Sequence, residues 1–313
     1  MISWRYHVVS LVAVVLAFGL GILAGTSVLD DQFVIQLQQN NAAARRERDA
    51  AVALANVYER IVVGLQPSLR DGALAGEEAV VVTVDGVDQT AQRVADELTA
   101  AGSDVLATLS LSRRLVQTDI EENAAAVEDA LGLVGTDPAT LSGRVADALA
   151  GRLAEGPGGG KDDVLGRLLG AGLIAADRDL DPEALLGIGG AGQLMVIAAG
   201  GAAPPEGSSS ADVFLVPFTE RLVQLGVATA AVGPREDAYG YVSAVRDASG
   251  IPDCSMVTVD DIDLGGIGGI TLAMGIDRLL SDPDPTFLPG GDYGVSGDSI
   301  VPGAEDPPDS CRR

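Results

Sequence analysis

Soft metal ligands are few in this sequence, and two of them stand together. Cys254 and Met256 are separated by one serine at the start of SMVTVDD, a stretch typical of a buried strand. Side chains two residues apart in a strand point to the same face, so a thiolate and a thioether would lie side by side. Such sulfur ligands select copper(I). The pair is therefore the candidate copper site, and the alternative is that both side chains belong to the core.

Five aspartates follow two of the predicted strands, where α/β proteins place side chains that contact ligands. They are Asp85 and Asp88 after the strand at 79–84, and Asp260, Asp261 and Asp263 at the end of the strand at 255–261. Aspartates also cap helices and occupy solvated turns, and that structural alternative is the more frequent one.

Histidine is absent from the sequence after His7. A Ser-His-Asp or Cys-His arrangement therefore cannot be assembled in the rest of the chain, and zinc sites of the ordinary type are excluded for the same reason. We expect the protein not to be an enzyme. A carboxylate-based site at Asp85 or Asp261 is the one catalytic alternative left.

Glycine-rich stretches resemble phosphate-binding loops in composition but not in position. GIGGAG at 187–192 matches G-x-G-x-x-G, yet it precedes a predicted strand instead of following one. GPGGGKDD at 156–163 follows a helix and lacks the first glycine and the Ser/Thr of a P-loop. GGIGG at 265–269 does begin a helix after a strand, but its spacing is wrong. We therefore expect no nucleotide cofactor.

Strands and helices alternate after residue 77. Five stretches rich in Val, Ile and Ala predict buried strands, at 79–84, 104–111, 193–199, 227–233 and 255–261. Helical patterns lie between them. This alternation predicts an α/β domain over 78–281, with a mostly parallel sheet covered on both faces in a three-layer, Rossmann-like or flavodoxin-like arrangement. Pro, Gly and Asp crowd 282–313, which predicts a tail or a loop that wraps the edge of the domain.

An uncharged run, Val8–Leu29, lies in the first 29 residues. As a helix it would span about 33 Å, against roughly 30 Å of membrane hydrocarbon. It predicts a retained transmembrane helix, with a signal peptide cleaved near Ser27 as the alternative. Arg5 before the run and Asp30 after it predict a cytoplasmic N-terminus and an extracytoplasmic remainder.

Two patterns predict that this N-terminal region pairs with a second copy. Small residues at every fourth position, ending in Gly21 and Gly25, let two membrane helices approach closely. Residues 30–66 then show a heptad pattern of a coiled-coil stalk, ended by Pro67. The residues expected to hold a parallel homodimer together are Phe33, Leu37, Asn40, Leu54, Tyr58 and Ile61. The alternative is a single helix that lies on its own domain.

Acidic residues dominate the chain, with 45 Asp and Glu against 20 Lys and Arg and a net charge of −25. All the acids follow residue 29. Such a surface repels nucleic acid and anionic lipid headgroups, so we expect neither as a partner. Two cysteines, Cys254 and Cys311, make no disulfide framework, although one bridge between them stays open.

Four segments resemble the actinobacterial copper transporter family of envelope proteins. They are the start, MISWRYHVVSLVAVVLAFGLGILAGTSVL, the predicted stalk at 30–66, the predicted strand VVVTVDGVD and the closing segment GGDYGVSGDSIVP at 290–302. The likeness covers most of the chain and is loose over 110–190. The closing segment resembles a GHYG-type family ending, with Asp292 in place of histidine.

The resemblance implies two functions. One is copper homeostasis or export, with copper as ligand and the outer membrane as location by the family's description. The other, implied by relatives, is partnership with a second membrane protein in cell-envelope or division control. One apolar span and buried, non-alternating strands show no pore architecture. The residues therefore favour a dimeric interaction module in the membrane.

Overall fold

The computed structural model describes residues 4–85, 89–117, 121–133, 137–157, 163–176, 187–190, 192–200, 213–235, 240–281 and 290–294. These residues form two compact units, Met1–Arg60 and Ile61–Arg313. The first is helical, and the second, called the head below, contains a sheet.

The described residues of the first unit all belong to one helix, α1, which spans Trp4–Arg70, and the part of this helix from Ile61 onwards belongs to the head. Its first 20 residues, Trp4–Leu23, have a mean hydropathy of 2.3 and no buried residue, and they are long and apolar enough to cross a membrane. Membrane anchors and signal sequences share these properties. The N-terminal apolar helix is thus confirmed, and its retention and orientation stay predictions.

The predicted end of this helix at Pro67 is wrong, because α1 continues to Arg70. A proline in the last turn removes a single backbone hydrogen bond. Other contacts hold that turn: the Ser68 hydroxyl donates to the Leu65 carbonyl at 2.9 Å. Arg70 forms an ion pair with Glu97 at 2.6 Å.

The strands of the described residues are β1 (Glu78–Val84), β2 (Asp104–Leu111), β3 (Ile174–Ala176), β4 (Gln193–Ala198), β5 (Thr229–Val232), β6 (Val257–Val259) and β7 (Gly291–Tyr293). They form one sheet in the order β3-β2-β1-β4-β5-β6-β7. Every neighbouring pair is parallel except β2 and β3. The mostly parallel sheet is therefore confirmed, whereas the Rossmann-like or flavodoxin-like description stays a prediction.

Helices cover both faces of this sheet. Those described after α1 are α2 (Gln89–Ala100), α3 (Arg113–Val116), α4 (Glu121–Leu131), α5 (Pro138–Glu155), α6 (Val164–Gly170), α7 (Leu215–Gln224), α8 (Tyr241–Arg246) and α9 (Gly265–Ser281). Alternate residues of β1 enter two separate apolar cores, as the two-residue period of a strand requires. Val80 and Val82 join the core under α4–α8, while Ala79 and Val81 join the core under α2 and α9.

Two short edge strands, β3 and β7, have no counterpart in the sequence prediction. Each has three residues, too few to show a hydrophobic period. β7 lies within the segment 282–313, so Gly291–Tyr293 of the predicted tail or edge-wrapping loop belong to the sheet. The remainder of 282–313 lies outside the described residues.

Candidate functional site at the carboxyl edge of the sheet

Several charged side chains of the head follow the parallel strands and therefore lie at the carboxyl edge of the sheet. Asp85 follows β1, Arg113 follows β2, and Asp260 and Asp261 follow β6. The strand order reverses between β1 and β4, where α/β proteins bind ligands. Asp88, which the sequence predicts to follow the same strand as Asp85, is outside the described residues.

At the β1–β2 end, Asp85 pairs with Arg113. Asp85 has a positive φ of 63°, a conformation that aspartate tolerates better than most residues. Its amide donates to the Leu111 carbonyl at 2.7 Å, which ties the end of β1 to the end of β2. The two charged side chains are 41% and 33% exposed. The pair is therefore solvated.

At the β6–β7 end, Arg246 of α8 connects three segments of the chain. Its guanidinium donates to the Asp260 carboxylate at 2.9 Å, to the Thr258 hydroxyl at 2.7 Å and to the Tyr293 carbonyl at 2.8 Å. Thr258 in turn donates to Asp292 at 2.8 Å. Arg246 and Asp260 are each 12% exposed. This network, called the Arg246 network below, fastens β7 to β6 and to α8.

The glycines of the segment GGDYG stand at positions where this close packing leaves no room for a Cβ atom. A Cβ on Gly290 would lie 2.5 Å from the Cys254 carbonyl, and one on Gly291 would lie 2.6 Å from the Tyr293 hydroxyl. Gly294 has a φ of 109°, and a Cβ there would overlap the Asp260 carboxylate. Asp292, which stands where the resemblance implies histidine, accepts from Thr258. The segment is therefore a fitted edge strand.

Tyr293 anchors the same strand from the other face. Its ring lies against Gly275 of α9 and its side chain is 4% exposed. Burial raises the pKa of its phenol, and the neighbouring Arg278 lowers it. Tyr293 is therefore a packing residue that joins β7 to α9.

Asp261, directly after Asp260, has the opposite environment. It is fully buried, and neither of its carboxylate oxygens has a hydrogen-bond partner in another residue. Burial and the nearby Asp260 and Asp263 carboxylates raise its pKa to about 6, although Arg246 and a hydrogen bond from Asp261's own backbone amide lower it. Among the described residues, no group of three or more His, Cys, Asp or Glu could hold a metal ion. Asp261 is thus a buried acid whose protonation state its surroundings control.

The predicted copper pair does not lie on one face of a strand. β6 begins at Val257, and Cys254 lies in the preceding turn with a φ of 60°. Met256 is 3% exposed and joins the core under α4–α8. The premise of side-by-side donors is therefore wrong, because the chain has not yet adopted strand geometry at Cys254.

Cys254 is also disulfide-bonded. The sequence has one other cysteine, Cys311, which lies outside the described residues. The soft donor in a cysteine site is the thiolate, so Cys254 could serve copper(I) only after reduction. Copper binding by Cys254 and Met256 stays a prediction.

Glycines in two of the three predicted glycine-rich stretches, 187–192 and 265–269, pack against neighbouring backbone, and residues 158–162 of the third lie outside the described residues. A Cβ on Gly189 would lie 2.7 Å from the Leu153 carbonyl, and Arg152 donates to the Ile188 carbonyl at 2.7 Å. The GIGGAG stretch therefore seats on the end of α5. At the start of α9, Gly268 lies equally close to the backbone of Asp261 and Ile262. These contacts explain the glycines without a phosphate ligand.

The predicted pairing residues of α1 are placed only in part. Gly21 and Asn40 are exposed. Tyr58 and Ile61 are 59% and 51% exposed. The side chains of Phe33, Leu37 and Leu54, and the surroundings of Gly25, lie outside the described residues. Pairing through these residues stays a prediction.

Sequence reasoning missed Arg246, Arg113 and Thr258. Arg246 had a signal: it stands four residues after Val242 and one after Val245, both of which are buried on the inner face of α8. An arginine on an inner helix face of an acidic chain needs a buried carboxylate partner. Arg113 and Thr258 carried no comparable signal.

Together these features define the class: an α/β head with a mostly parallel sheet, joined to an N-terminal apolar helix of membrane-spanning length. A sequence model of the family described as "Copper transport outer membrane protein, MctB" matches residues 1–299. The chain therefore belongs to the MctB family, and the copper transporter resemblance is confirmed. No curated protein matches the chain. The family makes this an envelope protein related to copper transport.

Proposed function

We propose that this MctB-family chain serves copper homeostasis as a membrane-anchored interaction protein, not as a conduit for copper. It forms a homodimer through α1 and contacts a second membrane protein of the cell envelope. In this proposal the N-terminus is cytoplasmic and the head extracytoplasmic. The proposal rests on the end of α1, where one helix face packs on the head and a neighbouring face is apolar and exposed.

One face of that end belongs to the head. Within the head, Gln66 donates to Glu97 at 3.3 Å and Arg70 pairs with the same carboxylate. A Cβ on Gly266 would lie 3.2 Å from Val62 and 3.1 Å from Gln66. The spacing of 62, 66 and 70 places these residues on a single helix face.

The other face is apolar and open in this single chain. Ile61, Leu65 and Leu69 are 51%, 50% and 46% exposed, and their four-residue spacing makes them one stripe. Ile61 and Leu65 are also positions of the predicted heptad. Exposed apolar stripes of this kind favour association between helices.

Dimerisation is tested on the full chain in mild detergent by light scattering coupled to size exclusion. We expect a dimer for the wild type and a monomer for Ile61→Asp with Leu65→Asp, because two charges would enter the seam. Ala53→Asp adds the same type of charge at an exposed position off the seam and is the control. A monomeric wild type, or a double variant that stays dimeric, refutes the stalk.

The copper role is tested with the same variants in cells that lack the gene. The wild type and Ala53→Asp should restore growth at elevated copper, and the double variant should not. Restored growth with a monomeric double variant would separate copper homeostasis from dimerisation.

A further inference from the structure

Among the described residues of the carboxyl edge, Asp261 is a group that no feature described so far employs. Its side chain is fully buried, and neither carboxylate oxygen has a hydrogen-bond partner in another residue. A buried ionised carboxylate in that state costs several kcal/mol, on the order of the penalty for an uncompensated ion. A protonated carboxyl group is far cheaper to bury. The folded head therefore favours the acid form.

The charges around Asp261 act in the same direction overall. Negative charge comes from Asp260 at the end of β6 and from Asp263 in the following turn, and positive charge comes from Arg246 on α8. Arg246 forms its ion pair with Asp260, at 2.9 Å. The first turn of α9 has no acidic residue. Among the described residues, the Arg235 amide donates to the Asp263 carboxylate and Arg93 donates to the Asp263 carbonyl.

Asp261 also lies in the turn that begins α9. Its carbonyl accepts from the Leu264 amide at 2.8 Å. A Cβ on Gly268 would lie 2.5 Å from that same carbonyl. Because the side chain is fully buried, hydration of an ionised carboxylate here would require the turn to shift.

The start of α9 is in turn packed on the end of α1. Gly266 contacts Val62 and Gln66, and Gly269 lies against Glu97, the carboxylate that binds Gln66 and Arg70. A shift of the turn would therefore change the packing between the start of α9 and the end of α1.

We propose that Asp261 is a proton switch: protonated, it keeps the start of α9 seated on the end of α1, and ionised, it loosens that contact. The step is a simple acid dissociation in which the carboxyl proton passes to solvent water. The inference requires neither dimerisation nor copper binding, so it stands or falls apart from the proposed function.

The direction of the effect follows from linkage. The pKa of Asp261 is higher in the folded head, about 6, than the ordinary value of 3.8. The folded state thus binds this proton more tightly than the unfolded state does. Its contribution to stability is full below pH 3.8 and is lost as the pH rises to about 6. Above that range the contribution is absent.

The test compares the full chain in mild detergent with Asp261→Asn, which keeps the shape and removes the charge. We expect a higher Tm for the variant at about pH 7.5 and a difference that shrinks towards about pH 4. Asp277→Asn removes an exposed carboxylate from α9, the helix that follows the Asp261 turn, and should reproduce the pH profile of the wild type. Equal pH profiles for wild type and Asp261→Asn would overturn the proposal.

Hydrogen exchange supplies a readout that does not depend on the variant's folding. In the wild type, exchange at 61–70 and 265–269, corrected for the intrinsic rate, should rise severalfold between about pH 5 and about pH 7.5. In Asp261→Asn it should stay constant. Constant corrected exchange in the wild type refutes the switch even if the variant does not fold.

Discussion

The two ends of the carboxyl edge contain the same pair of residue types in different surroundings. Asp85 and Arg113 at the β1–β2 end are 41% and 33% exposed, whereas Asp260 and Arg246 at the β6–β7 end are each 12% exposed. The first pair is surrounded by water. The second is part of a network that fastens an edge strand. The contribution of an Arg–Asp ion pair to folding stability therefore depends on how far the pair is buried and on the further hydrogen bonds that its two side chains form.

The largest effect is expected from Arg246→Ala. It would leave the Asp260 carboxylate buried without its partner and remove the bonds to Thr258 and to the Tyr293 carbonyl. Breaking a buried pair in this way costs about 3–5 kcal/mol. Chemical denaturation of the full chain in detergent measures this loss. Arg246→Lys keeps the charge and should recover part of it, and equal stability of Arg246→Ala and wild type would contradict the network.

A smaller loss is expected from Gly294→Ala. The positive φ alone costs about 1–2 kcal/mol, and the overlap with Asp260 adds about 1–3 kcal/mol. Gly226→Ala is the matched control, since Gly226 has a φ of 75° but open space around the position of a Cβ. Denaturation midpoints of the two variants should differ. If the two midpoints coincide, the close packing of Gly294 against Asp260 contributes nothing to the free energy of unfolding.

The smallest effect is expected from Asp85→Asn. Asparagine tolerates the left-handed backbone of this position as aspartate does, so the change removes only the charge. Exposed ion pairs contribute about 0–1 kcal/mol, and salt weakens them further. The denaturation midpoint should therefore stay close to that of the wild type. A loss as large as that of Arg246→Ala would remove the distinction between the two ends.

The contacts at the β6–β7 end also explain the residues of the family segment GGDYG. The sequence shows a motif rich in glycine and aspartate, which is typical of loops. The structure shows that Gly290, Gly291 and Gly294 allow close approach to backbone and carboxylate atoms. Asp292 and Tyr293 then bind β6 and α9. The motif is thus explained by strand packing.

The central strands could be predicted because each carries its own signal. After a first acidic residue, β1 and β2 consist of Val, Leu, Ala, Thr and a single Ser, and they are long enough to be recognised. The observed bounds differ from the predicted ones by one residue at most. β6 was predicted to start at residue 255, but it begins at Val257. The turn at Cys254 and Ser255 has no strand geometry, and this removed the basis of the side-by-side copper ligands.

The sequence by itself determined the apolar N-terminal helix, the alternation of strands and helices and the acidic surface, because these depend on local composition and period. Tertiary structure alone decided the partner of Arg246, the isolation of Asp261 and the place of β7 in the sheet. Arg246 and Asp292 are 46 residues apart in the chain but 3.7 Å apart in the fold. Residues that meet only after the sheet has assembled leave no period in the sequence, and burial, which sets the charge of Asp261, exists only once the chain has packed.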